Sequence, residues 1–293
     1  MITTVTDFDD ETEWERTVLT FAMPLLPLSA SETSAALDLR TNQVALNISD
    51  DICEQVVEEF RNTLLPLLFG AAWKLIDLAL ELAFGNVRIQ PKNGKRWLID
   101  EKIKEAEQGK GTIPGIAPSS DLWRALTALY AATSELRHAL VHRRVQVEQN
   151  TRALIGSDRQ GGKLAPISYD LQRAFCMAAQ RFAQVVLTGA MTTREEADLR
   201  VHLKTLRPLH GITVAAAGHG GEPVKIIVDF PADRRVDVPS LLAKALATYP
   251  GRSYVDVEVH LSDGRVLVGE LEHAPQTVVT IDPAALPAWL TFK

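Results

Sequence analysis

Residues 134–144 read Ser-Glu-Leu-Arg-His-Ala-Leu-Val-His-Arg-Arg, which puts two histidines and three arginines between positions 137 and 144. These are residue types that handle phosphate. Arginine offers a planar fork of donors, and histidine exchanges a proton near neutrality. His138 and His142 are four apart and share a helix face. Arg137 and His142 lie about 140° apart on an ideal helix, so they flank one small target only if the helix ends or distorts near 142, or if two chains contribute. A histidine that takes or gives a proton, beside an arginine that stabilises phosphorane oxygens, is the minimum for metal-free cleavage of an RNA backbone. Basic groups late in a helix also complement its dipole, a structural reason that needs no ligand.

Arg137-His138-Ala-Leu-Val-His142 resembles the signature of the HEPN superfamily: an arginine and a histidine with four to six residues between them, often with Asn, Asp or His after the arginine. The resemblance covers roughly 51–150, extending towards 210. It implies an all-α bundle and a metal-independent endoribonuclease of a toxin, defence or RNA-processing system. Arg137 would hold the scissile phosphate and His142 would act as general base or acid. His138 would orient the phosphate or carry the second proton. The substrate's own 2′-OH would attack, leaving a 2′,3′-cyclic phosphate. No cofactor or metal is implied. The implied partners are RNA, a second copy of the chain whose arginine and histidine converge at the interface, and a protein partner. Many members of that superfamily no longer cleave. A non-catalytic dimerisation or interaction module of a toxin–antitoxin, defence or regulatory system is therefore the second reading.

The chain of 293 residues is 46% hydrophobic and 23% charged, a globular balance with room for two domains. Its net charge of -6 gives no global basic field, so any contact with a polyanion must be local. Cys53 and Cys176 form neither a metal pattern nor a disulfide framework, which favours a reducing, cytoplasmic setting. The acidic start is unlike a secretory signal. The most apolar stretch, 64–85, carries Lys74, Asp77 and Glu81 at helical spacing. That polar stripe predicts a helix packed in a bundle rather than a membrane span.

The expected fold class is α+β: a HEPN-like all-α helical bundle followed by a small α/β unit with antiparallel hairpins. Residues 1–50 read as a mixed segment with a hairpin over 34–48, turning at Thr41-Asn42. Residues 51–210 read as the bundle. Its helices are expected near 51–65 and 71–84, separated by Pro66 and Gly70, then at 97–108, from Asp121 to beyond 144, and at 169–187. A further helix opens with a Thr192/Glu195 capping box and ends near Pro208. The Gly-rich stretch 153–166 reads as a flexible linker. Residues 211–293 form the α/β unit. Strands are expected at 212–217, 224–230 and 277–281, with a helix over 238–249 and a hairpin around Ser262-Asp263-Gly264.

Other constellations are weaker. Gly156–Lys163 mimics a phosphate loop but has Gly162 where lysine is required, and no strand is expected before it. The Gly218–Pro223 stretch suits a tight turn or a small anion nest, and a hairpin loop explains its glycines. His202, His210, His219, His260 and His273 lack metal-ligand spacing and read as surface or hairpin residues. Asp256, Glu258 and His260 alternate with valines and share one strand face. Trp73, Trp97 and Trp123 read as core anchors.

Overall fold

A computed structural model describes residues 2–23, 35–38, 43–46, 54–148, 150–216, 223–249 and 254–293. The chain divides into two compact units, Met1–Pro27 with Ile52–Ala217 and Leu28–Asp51 with Gly218–Lys293. A helical bundle is followed by a small β-sheet region with antiparallel hairpins, an α+β arrangement.

In the helical unit, α1 (Val5–Ala22) opens on a Thr4/Asp7 capping box. Sequence reading places no helix here, because the buried positions Phe8, Leu19 and Ala22 are sparse among acidic residues, with Thr12 and Glu15 filling the gaps. The second helix, α2 (Glu54–Asn86), runs unbroken through Pro66 and Gly70, which corrects the expected division into two helices. An internal proline removes one helical hydrogen bond and its ring crowds the carbonyl four residues earlier, a cost of about 3 kcal/mol that packing must offset. Leu65, Leu68 and Phe69 are buried around it and hold the segment in place. A Cβ on Gly70 would stand 3.0 Å from Leu140 Cδ2, so the absence of a side chain lets α4 approach α2 closely.

The remaining helices are α3 (Ile99–Glu107), α4 (Asp121–Val141), α5 (Tyr169–Thr188), α6 (Thr193–Thr205) and the single turn α7 (Arg207–His210). Ser120 caps α4, and the Thr192/Glu195 box caps α6 as expected. Phe69 stacks on Phe175 at 4.9 Å, joining α2 to α5. Trp73, Trp97 and Trp123 are all core residues. The polar stripe of α2 is paired inside the chain: Lys74 meets Glu15 at 2.9 Å, and Lys102 meets Asp77 at 2.7 Å and Glu81 at 2.8 Å. Thr63–Asn86 is long and apolar enough to cross a membrane by length and composition, and 56% of its most apolar window is buried in this chain.

Two further expectations are corrected. The fourth helix stops at Val141 instead of passing 144. Residues 153–166 are not a loose linker. They hold β4 (Leu154–Gly156), antiparallel to β3 (Val145–Val147), and a loop closed by a Ser157–Lys163 bridge. Glycine and polar residues favour tight turns as well as flexible chain, and buried Leu154 anchors this hairpin.

The sheet unit has six strands in the order β10-β8-β7-β5-β1-β2. Here β1 is Ala35–Asp38, β2 Gln43–Leu46, β5 Val224–Asp229, β7 Val255–His260, β8 Val266–Glu270 and β10 Leu290–Phe292. The 34–48 hairpin exists in its strands; its expected turn lies outside the described residues. Strand β1 pairs with β5 in parallel, with Ala35 opposite Val224. Helix α8 (Val238–Thr248) crosses from β5 to its parallel neighbour β7, and β7–β8 is the expected antiparallel hairpin. A separate ribbon joins β6 (Arg235–Asp237) to β9 (Val278–Thr280). Val224, Ile226, Val255, Val257, Val259 and Leu267 form much of the core. Residues 212–216 are not a strand, although alternation suggested one. The Gly218–Pro223 stretch and His219 lie almost wholly outside the described residues.

Candidate functional site

The motif falls where α4 terminates. Leu122, Leu126, Leu129, Tyr130, Thr133, Leu136 and Ala139 bury the helix's inner stripe. His142 is the C-cap, with φ -91° and ψ 15°. Arg143 N–H donates to Leu140 O at 3.0 Å and Arg144 N–H to Ala139 O at 2.8 Å. This double closure is a Schellman turn, and it puts Arg143 in the left-handed region at φ 56°, a place glycine usually takes.

The helix end separates the predicted residues. Arg137 turns towards α2, its guanidinium carbon 5.0 Å from the Trp73 ring centroid. Trp73 stacks in turn on Tyr130 at 4.6 Å. Tyr130 Oη donates to Asp77 Oδ1 at 2.5 Å, beside Lys102, which is 2% exposed. Burial, then the Asp77 carboxylate, holds the Tyr130 hydroxyl far above its ordinary range, with Arg137 opposing them. Arg137 is thus built into the wall of a buried polar network, which also binds the Ile2 backbone N–H through Glu81 at 3.2 Å.

His138 and His142 form a pair, ring centroids 4.6 Å apart and tilted by 59°. His142 is exposed and His138 half-buried. Arg159 Nε–H donates to His138 Nε2 at 2.8 Å. An imidazole nitrogen that accepts this bond carries no proton, so His138 is neutral in this arrangement. Partial burial, then the charges of Arg159, His142 and Arg144, hold His138 below its ordinary pKa, while Glu135 pulls the other way.

Sequence reasoning missed Arg159. Its loop takes shape through Asp158, whose Oδ1 accepts from Gln160 N–H at 2.8 Å and Gly162 N–H at 2.7 Å. Arg144 Nη1 donates to Asp158 O at 2.5 Å and pins the loop to the end of α4. The only local signal was Asp158 ahead of Gly161-Gly162, an Asx-turn pattern, and it says nothing about where the turn is delivered. The pairing of β3 with β4 supplies that information.

Other polar clusters serve the fold. Glu258 is buried and bonded by Lys225 at 2.5 Å, His260 at 2.8 Å and Lys293 at 3.1 Å. His210, expected at the surface, is buried: its Nε2 contacts Leu203 O at 2.8 Å and its Nδ1 accepts from Ile212 N–H at 3.0 Å. It closes the backbone after α6, a structural task open to a neutral histidine. Among the described residues no group of three or more His, Cys, Asp or Glu side chains could hold a metal ion. Comparisons with known protein families, curated proteins and solved structures find no significant match to this chain.

Proposed function

We propose that the end of α4 is a metal-independent RNA-cleaving site of the HEPN kind, working in a cytoplasmic homodimer. The carrying observation is the His138–His142 pair, set at a solvent-facing helix end with Arg143, Arg144 and Arg159 around it. Two imidazoles side by side suit attack by a 2′-OH. Neutral His138 takes the 2′-OH proton as the 2′-oxygen bonds to phosphorus. The bond from phosphorus to the 5′-oxygen breaks, and protonated His142 gives that oxygen its proton. The products are a 2′,3′-cyclic phosphate and a 5′-hydroxyl. Guanidinium groups stabilise the extra negative charge on the phosphorane.

The test is cleavage of a broad RNA pool in excess EDTA, comparing the parent with His142→Ala and reading end chemistry. Cyclic-phosphate ends made by the parent and reduced at least about 100-fold in the variant are expected, the usual scale for a general acid–base group. Equal cleavage by both proteins would place the activity elsewhere.

A second reading has its own observation. Trp14 is 68% exposed, Leu67 49% and Val141 59%. Trp14 and Leu67 line a groove with Pro66, Gly70 and Leu140, next to the basic helix end. Arg137 and His142 also point to different neighbours in one chain. An apolar patch of this kind suits a dimerisation or interaction module. Parent and variant that are equally inactive on the RNA pool would favour it.

A further inference from the structure

We infer that Arg159, on the loop after β4, is the phosphate-binding arginine of this site, and that substrate phosphate frees the base by drawing Arg159 off His138. This rests on reading the end of α4 as an RNA site. It reassigns the role that the HEPN resemblance gives to Arg137.

Three observations carry it. First, Arg137 is committed to Trp73, at 5.0 Å, on the wall of the Tyr130–Asp77–Lys102 network. Turning it out would remove a cation from the neighbourhood of two carboxylates. Secondly, Arg159 is exposed and makes its contact through one nitrogen, Nε, to His138 Nε2 at 2.8 Å. An uncharged imidazole is a weaker acceptor for a guanidinium than a phosphate oxygen, because bonds between two charged partners are the stronger class. Thirdly, the loop that carries Arg159 is fixed at its base by the Asp158 bonds and by Arg144, so only the side chain needs to move.

The consequence is a base that is covered until substrate arrives. In the free protein, the Nε2 lone pair needed to accept the 2′-OH proton is already bonded to Arg159. A phosphodiester bound between Arg159, Arg143 and Arg144 would take over the guanidinium. It would also bring negative charge beside both rings. The groups that face His138 are Arg159, His142, Arg144 and Glu135. Removing the Arg159 cation and its bond leaves the protonated form of His138 easier to make, so its pKa should rise.

The experiment follows the histidine Cε1–H signals of selectively labelled full-length protein by NMR, against pH and against two probes. One probe is a 2′-O-methyl dinucleotide, a phosphodiester without a nucleophile. The other is inorganic phosphate. Arg159→Ala is compared with the parent and with Arg124→Ala, an exposed arginine near the start of α4. Arg159→Ala should raise the His138 pKa and weaken dinucleotide binding about tenfold, as expected for losing one charged hydrogen-bonding partner. Arg124→Ala should change neither. In the parent, the dinucleotide should shift His138 and His142 and raise the His138 pKa. An unchanged His138 titration in Arg159→Ala, or unchanged dinucleotide affinity, overturns the inference. So does binding of inorganic phosphate with none of the dinucleotide. No turnover is needed, so a protein that passes here and cleaves no RNA fails only the ribonuclease reading.

Discussion

Arg143 ends α4 in a backbone conformation that glycine usually takes, as Arg88, Arg152 and Arg234 do elsewhere in the chain. A residue with a Cβ in the left-handed region is disfavoured by about 1–2 kcal/mol, and glycine avoids that penalty. The Schellman turn at Leu140 and Ala139 needs this conformation, yet the position holds an exposed arginine at φ 56°. Arg143→Gly should therefore stabilise the protein by up to about 1 kcal/mol, after allowing for glycine's greater freedom in the unfolded chain. The same variant should bind RNA more weakly. Urea unfolding and salt-dependent RNA binding measure the two effects separately, and RNA affinity equal to the parent's would remove Arg143 from the site. The histidine pair was legible in sequence because four-residue spacing fixes a shared helix face. The separation of Arg137 from His142 was half legible, since the ideal-helix angle already set them apart. That Arg137 goes to Trp73 depends on the docking of α4 on α2, which no local pattern records.

Whole elements were read best where a cap or a period names them. The Thr192 box and the β7–β8 hairpin stand where their residues indicated. Continuity through Pro66 was not legible, because proline is a breaker only where packing does not hold the helix. On β7 the alternation placed Asp256, Glu258 and His260 on one face, but burial of Glu258 depends on strands far away in the chain. Burial works to raise the Glu258 pKa; hydrogen bonds from Lys225, His260 and Lys293 overcome it and hold the carboxyl at about 2. A carboxylate whose pKa is depressed on folding adds stability that is complete above the ordinary carboxylate range. That stability disappears as pH falls towards the folded value. The sheet unit should thus weaken between about pH 5 and pH 2. Denaturant midpoints of Glu258→Gln should be lower than the parent's at pH 6 and should vary less across that window. Parallel pH profiles for the two proteins would show that the cluster contributes no linkage.

At the scale of the molecule, the sheet unit is assembled from two distant stretches, Leu28–Asp51 and Gly218–Lys293, on either side of most of the helical unit. Sequence analysis placed strands in both stretches but had no means of pairing them in parallel. Strand β5 lies between β1 and β7, with Val224, Ile226 and Val228 buried. A fragment of residues 218–293 would leave one edge of β5 unpaired, a row of open backbone groups that invites aggregation. It should be poorly folded or associated. Residues 28–51 joined to 218–293 by a short Gly/Ser linker should be monomeric and folded, as read by circular dichroism and size-exclusion chromatography. Equal behaviour of the two fragments would mean that β1 contributes little to the sheet. The parallel pairing of Ala35 with Val224 also sets an order of events on the ribosome. The β1–β2 hairpin leaves the exit tunnel first, and its partner strand follows only after the intervening helices have been made. At about 5–20 residues per second, the open edge of β1 waits on the order of ten seconds or more. The nascent chain must spend that interval with a half-made sheet, within reach of chaperones and of neighbouring chains on the same message.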